Sequence, residues 1–240
     1  VVGTDNLLRA AASLSDPPRV VIAGSAAEYG LSAAAGRLDE DAPVRPLTPY
    51  GISKAAQTLT ALAYAARAEV PVVVGRVFNM VGPGESPETL AGSVAQQVAQ
   101  AERWYYRSGE PRKRQQNSPA ACGSPIRVGN LDTWRDYVDV RDVAHALWLL
   151  GRTEGRGCIY NICSGIARRT GDLVERLTSL SDAPVSVTSV ASRQRHAEIV
   201  RVEGAPDRLK ADTGWVVSFT LEDSLRDLLN WHRQVFGSGS

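Results

Sequence analysis

A tyrosine stands four residues ahead of a lysine in "PLTPYGISKAAQ", residues 46–57 of this 240-residue chain. Thr48 can cap a helix there and Pro49 suits its first position. Tyr50 and Lys54 then lie one turn apart on one helix face. The apolar stripe, Ile52, Ala55, Ala56, Leu59, Leu62, Ala63 and Ala66, is left for burial. A phenol titrates at about 10, and a nearby ammonium favours its phenolate. Such a pair can carry a proton to and from a substrate. A solvated surface pair is the plain alternative. The chain has seven Tyr and three Lys, so only about 0.09 Tyr-x-x-x-Lys matches arise by chance.

Helices and short apolar runs alternate around this pair. Thr4 is expected to cap a first helix, "TDNLLRAAASL". "RVVIAGS", residues 19–25, reads as a buried strand ending in Gly-Ser. The Tyr-Lys helix spans 49–68, and a second buried strand spans 70–79 and closes in the Gly-Pro turn "VGPGESP". Leu90, Val94, Val98 and Ala101 recur at helical spacing, giving a helix over 87–105. "RKRQQNSPAACGSP" is a polar, basic loop. "RDYVDVRDVAHALWLLG" holds a strand and then a helix, and "GCIYNICSG" is a third buried strand. A helix near 170–180, the strand "PVSVTSV", a short helix around 207–212 and a last helix from Leu221 follow. Thr220 and Asp223 there resemble a capping box.

Near-continuous apolar strands alternating with helices imply a parallel sheet covered on both faces. Ligands in such sheets sit at the carboxyl ends of the strands. Those ends carry Ser25, Phe78–Asn79 and Cys163–Ser164.

Composition narrows the function classes. Hydrophobic residues make up 43% and charged residues 22%, as in ordinary soluble proteins. The net charge of +1 gives no field to attract nucleic acid or a membrane surface. No apolar run reaches a membrane span, and the first residues carry no signal-peptide pattern. Three unpaired cysteines suit a reduced, cytoplasmic setting. His145, His196 and His232 are scattered, so no metal site is expected.

In order along the chain, "VVGTDNLLRAA", "VVIAGSAAEYG", "TPYGISKAAQ", "RVFNMVGPGESP", "IRVGNLDTWRDYVDVRDVAHAL", "YNICSG" and "DRLKADTGW" resemble the extended short-chain dehydrogenase/reductases that act on nucleotide sugars. "PYGISKAAQ", "FNMVGPGESP" and "IRVGNLD" are most similar to the reductases that act on GDP-4-keto-6-deoxymannose. The resemblance implies an α/β fold: a partial Rossmann-like, doubly wound parallel sheet with a smaller C-terminal α+β substrate-binding part. The cofactor and catalytic part is expected at 1–80 and 136–165, and the nucleotide-sugar part at 81–135 and 166–240. It also implies NADP or NAD as cofactor, a GDP-sugar substrate and a homodimer. The family's Gly-x-x-Gly-x-x-Gly turn, whose helix N-terminus holds the cofactor pyrophosphate, is missing from these residues. A family member without its first strands is therefore expected, impaired in cofactor binding.

By resemblance, Tyr50 is the general acid/base. Lys54 tunes it and holds the nicotinamide ribose. Ser25, 25 residues before Tyr50, hydrogen-bonds the reacting oxygen. Phe78 lies in the segment that touches the nicotinamide. Asn79 would contact the sugar or its phosphate, and Val128 to Leu131, with Asn130, would line the base pocket, largely through backbone. Arg135 would grip the diphosphate by its bidentate guanidinium. Arg195 and Glu198 would add a phosphate contact and a ribose acceptor, or be surface charges. Asp139 and Asp142 read as helix-start residues. Related dehydratases place an acidic base two residues after the catalytic hydroxyl. Ala26 and Ala27 stand here and cannot move a proton, which favours a reductase or a 4-epimerase. Glu28 is either a further acid/base, a substrate ligand or a residue pointing elsewhere. The third alternative is a non-catalytic fragment that at most binds a nucleotide sugar.

Overall fold

The computed structural model describes residues 1–107, 125–155, 157–190 and 199–237. In chain order it opens with α1 (Val2–Ala12) and β1 (Val20–Ser25), then two 3-10 turns (Ala26–Glu28 and Gly30–Ala35). Next come α2 (Pro49–Ala66), β2 (Val72–Val77), β3 (Asn79–Val81), α3 (Leu90–Arg107), β4 (Ile126–Val128) and β5 (Trp134–Asp139). After these follow α4 (Val140–Leu150), β6 (Cys158–Ile162), β7 (Ala167–Arg169), α5 (Thr170–Ser179) and β8 (Val187–Ser189). The last elements are β9 (Arg201–Val202), α6 (Asp207–Thr213) and α7 (Leu221–Gly237).

The three apolar runs pair in parallel in the order β1-β2-β6. Their register aligns Ser25 with Val77 and Val77 with Ile162. The carboxyl ends of all three strands therefore fall in one row, as the alternation of strands and helices implies. Among the described residues β1 pairs only with β2 and forms the edge of this sheet.

Two compact units emerge. The first holds 1–80, 134–167 and 199–218; the second holds 81–133, 168–198 and 219–240. The chain crosses between them within β3 and β7. The division differs from the expected one in three places: residues 134–135, 166–167 and 199–218 belong to the first unit. There β9 pairs in parallel with β5, aligning Arg135 with Val202. The N–H of Ser218 also donates to the Asp142 carboxylate.

One face of the first unit's sheet buries Leu8, Ile22, Ala61, Val70, Val72 and Val74. Another core gathers Val73, Val138, Ala146, Leu150, Ile162, Leu209 and Trp215. In the second unit α3 packs against α5 and α7, burying Val94, Val98, Leu173, Leu177, Leu225 and Leu228. Its β4 and β8 pair in parallel.

Local expectations shift in three places. Thr4 does not cap α1, which begins at Val2; Thr4 is buried within the helix and accepts from Gln57 Nε2 at 3.1 Å. α3 starts at Leu90 rather than 87, because the Thr89 hydroxyl accepts the Gly92 N–H and sets the first turn there. β2 starts only at Val72 and ends at Val77, with Pro71, which lacks an N–H, just ahead of it. Thr220 and Asp223 do form the N-terminal bond expected of them, the Asp223 N–H donating to the Thr220 hydroxyl. No helix among the described residues is long and apolar enough to cross a membrane. No cluster of three or more His, Cys, Asp or Glu among them could hold a metal ion.

Candidate active site

Ser25 is the last residue of β1 and is buried. Its N–H donates to Glu28 Oε1 at 2.8 Å, and its Oγ accepts from the Ala27 N–H at 3.2 Å. The chain thus turns from strand to 3-10 turn through a capping box. The hydroxyl proton has no acceptor among the described residues, so donation is the bond left to it.

α2 forms as its sequence implies. Thr48 Oγ1 accepts from the Gly51 N–H at 3.0 Å, and Pro49 begins the helix. A Cβ at Gly51 would lie 2.5 Å from the carbonyl oxygen of Ala27. Only glycine lets the first turn of α2 abut the turn that follows Ser25. The Tyr50 side chain is exposed, at 57%, and its hydroxyl has no partner among the described residues. Lys54 Nζ lies 5.9 Å from the Tyr50 ring centroid. The ammonium donates to Ala23 O on β1 at 2.8 Å and to Gln57 Oε1 at 3.2 Å. One of its three N–H groups is left over.

Three donors therefore sit on two contiguous elements of the first unit, each with a hydrogen bond still to give. A carbonyl oxygen that gains negative charge needs such donors. Ser25 and Tyr50 share no hydrogen bond with each other.

The remaining candidates are placed differently. Asn79 follows the end of β2, exposed, and donates to Asp136 O at 3.3 Å. The ring of Phe78 is buried against Tyr29, centroids 6.4 Å apart, so a nicotinamide contact there falls to its backbone. Arg135 turns back on its own backbone, donating to Trp134 O at 2.8 Å and Val200 O at 3.4 Å. The side chain of Val128 is buried in β4, and its carbonyl accepts from the Val190 N–H at 2.8 Å. Asn130 accepts from the Asp132 N–H at 2.9 Å, closing a local turn. Arg195, Glu198 and the basic loop 112–117 lie outside the described residues. Asp139 is the N-cap of α4, its carboxylate accepting from the Arg141 N–H.

Glu28 points away from solvent. It is fully buried and ion-paired to Arg76 at 2.9 Å. It therefore cannot touch a substrate directly.

Asp136 escaped the sequence reading. Its buried carboxylate accepts from Ser164 N at 2.7 Å, Ser164 Oγ at 2.6 Å, Gly165 N at 2.9 Å and Gly204 N at 3.2 Å. Burial pushes this carboxyl above its usual range despite those four donors. It fixes the turn that leaves β6 beside the strand ends. The available signal was alternation: Asp136 and Val138 share the inward face of β5.

Residues for the nicotinamide end of a dinucleotide are present, since Lys54 keeps a free N–H and Tyr50 an unpartnered hydroxyl beside the sheet edge. The model of the family described as "NAD dependent epimerase/dehydratase family" matches residues 1–163. The chain is 32% identical over 238 residues to GDP-6-deoxy-D-mannose reductase of Pseudomonas aeruginosa, covering 98% of this chain and 73% of that one. It is 26% identical to dTDP-6-deoxy-L-talose 4-dehydrogenase (NAD(P)(+)) of Kitasatospora kifunensis, covering 95% of this chain and 67% of that one. The solved structure of RMD from Pseudomonas aeruginosa complexed with NADPH superposes with a TM-score of 0.81 at 28% identity, covering 98% of this chain and 73% of that one.

Proposed function

Since the chain belongs to the NAD dependent epimerase/dehydratase family, we propose that it reduces the 4-keto group of a GDP-linked 4-keto-6-deoxyhexose with NADPH or NADH. The observation that carries this reading is the trio of donors with a valence to spare, Ser25, Tyr50 and Lys54, on β1 and α2. The likeness to a GDP-6-deoxy-D-mannose reductase along 98% of the chain supports the substrate class. The reduced nicotinamide, when bound, supplies the two electrons and the hydrogen that C4 gains. Tyr50 gives its phenolic proton to the C4 oxygen as charge develops there. Ser25 donates its remaining hydrogen bond to the same oxygen and lowers the cost of that charge. Lys54 favours the phenolate left behind and offers its spare N–H to the ribose hydroxyls. Ala26 and Ala27 offer no base for an elimination, so the sugar keeps its oxygen count.

The nucleotide half of the substrate is assigned to Asn79, the segment from Val128 to Leu131, and Arg135, with Arg195 and Glu198 as further contacts. Arg135 would have to exchange its carbonyl partners for phosphate oxygens, which a guanidinium does readily because charge-assisted bonds are the stronger.

Incubating the chain with GDP-4-keto-6-deoxymannose and NADPH tests the proposal. A reductase consumes NADPH in step with product. A 4-epimerase, which uses the same three residues, consumes none. Binding of the GDP-sugar without any conversion would leave only the non-catalytic reading.

A further inference from the structure

Behind Ser25 lies a polar network buried almost wholly from solvent and, by that burial, from substrate. Glu28 is 0% and Arg76 3% exposed. Glu28 uses both carboxylate oxygens: Oε1 accepts the Ser25 N–H at 2.8 Å, and Oε2 accepts Arg76 Nε at 2.9 Å. A Cβ on Gly24 would lie 2.8 Å from that Oε1, so glycine ahead of the serine leaves the carboxylate its place.

The network is anchored on every side. Arg76, on β2, lies over the Tyr29 ring at 4.7 Å and donates to Glu40 O at 3.4 Å. Tyr29 donates to Asn161 Oδ1 on β6 at 2.7 Å. Asn161 donates through Nδ2 to Leu38 O at 3.0 Å and through its N–H to Glu40 Oε1 at 2.8 Å. Glu28 is therefore held by residues from two further strands.

A buried ion pair gains little net stability over apolar side chains of the same volume. A fully satisfied buried network, by contrast, specifies one geometry. Here the network ends on the amide of the residue whose hydroxyl the proposed reduction uses. With its N–H held by Glu28 and its Oγ already accepting from Ala27, Ser25 has one backbone position and its single O–H still to donate.

We infer that Glu28 and Arg76 are a positioning pair for Ser25: the buried carboxylate, fixed by the guanidinium, sets where the serine hydroxyl donates. This deepens the proposed reduction and rests on Ser25 as donor to the C4 oxygen. Glu28 itself moves no proton to substrate.

Two double variants separate positioning from mere structure. Glu28→Met with Arg76→Met removes the charges and the acceptor of the Ser25 N–H. Glu28→Gln with Arg76→Met removes the charges and keeps an amide oxygen as acceptor. Thermal melting shows whether each folds, and NMR hydrogen exchange on the ¹⁵N-labelled chain reads the Ser25 amide directly. Positioning requires that amide to exchange about tenfold faster or more in the Met–Met variant, and near the parent rate in the Gln–Met variant. Where the parent turns over, kcat falls about 10- to 100-fold in the Met–Met variant with KM unchanged, and recovers in the Gln–Met variant. Equal protection of Ser25 in both double variants overturns the inference. Should the Met pair fail to fold, Glu28→Asp shortens the reach to the amide, keeps the charge beside Arg76, and is judged by the same exchange. A parent chain with no turnover at all counts against the proposed function, and amide exchange still decides the positioning.

Discussion

The Lys54 ammonium donates to the carbonyl oxygen of Ala23 at 2.8 Å, two residues before Ser25 on β1. The same ammonium reaches Gln57 Oε1, and Gln57 passes the connection to Thr4 on α1. One lysine thus joins α2 to the strand that bears the serine and, through Gln57, to the helix before it. Its side chain is held in a defined place before any ligand arrives, which reduces the ordering cost of catalysis.

Tyr50→Phe removes the transferable proton from a side chain that is 57% exposed. Little packing is lost, so the melting temperature stays near that of the parent. Turnover of GDP-4-keto-6-deoxymannose falls by about 10²- to 10⁴-fold. Steady-state kinetics beside a melting curve checks both; near-parent turnover would exclude Tyr50 as the acid.

Gly51→Ala sets a methyl 2.5 Å from Ala27 O. Either α2 or the turn after Ser25 must move, at a cost of about 1–3 kcal/mol. Urea titration reads the loss, and turnover should fall with it because Tyr50 and Ser25 are displaced relative to each other. An unchanged midpoint would mean that the close approach is not needed.

Glu102 and Arg233 pair within the second unit at 2.8 and 2.7 Å, and the Asp182 N–H adds a third bond to the carboxylate. Burial alone would raise the Glu102 carboxyl; the Arg233 and Asp182 bonds outweigh it and hold it below its usual range. Arg233→Met leaves that buried carboxylate without its cation, destabilising the fold by about 3 kcal/mol. Glu102→Gln in the same background should return part of the loss. Chemical denaturation of the single and double variants measures both steps.

Two buried groups make the stability of the second unit depend on pH in opposite directions. His232 is buried with no partner for Nε2 among the described residues, and burial lowers its pKa from 6.5. The unfolded chain takes up that proton first, so stability drops as pH falls below about 6.5. Glu85 behaves oppositely. Burial raises its carboxyl from 4.5 to about 7, with Oε2 unpartnered among the described residues. The folded state then binds the extra proton between those values, and stability declines as pH rises from 4.5 through about 7. Glu85→Gln should accordingly raise the melting temperature more at pH 8 than at pH 5, and an equal gain at both would contradict the assignment.

Local spacing made the helix of Tyr50 and Lys54 legible. Thr48, Pro49, Tyr50 and Lys54 lie within seven consecutive positions, where capping and i,i+4 geometry are local rules. The buried strands were legible for the same kind of reason: a run such as "PVVVGRV" reads without knowledge of its neighbours. The row formed by Ser25, Val77 and Ile162 follows from strand order and register, which arise only when distant segments pair. Glu28 shows the limit most plainly. Three residues after a serine, it could serve as acid/base, as substrate ligand or point elsewhere, and sequence left all of these open. Arg76, 48 positions away, decided among them, because a carboxylate in the dry interior must face a cation and spare N–H groups. The partners of Arg135 were likewise out of sight: its side chain donates to Trp134 O next to it and to Val200 O, which lies 65 positions away and comes near where β9 pairs beside β5. Sequence by itself determined which side chains could do chemistry and the elements that carry them. Tertiary structure decided what those side chains bond and how far they are buried, because that depends on partners supplied by residues far along the chain.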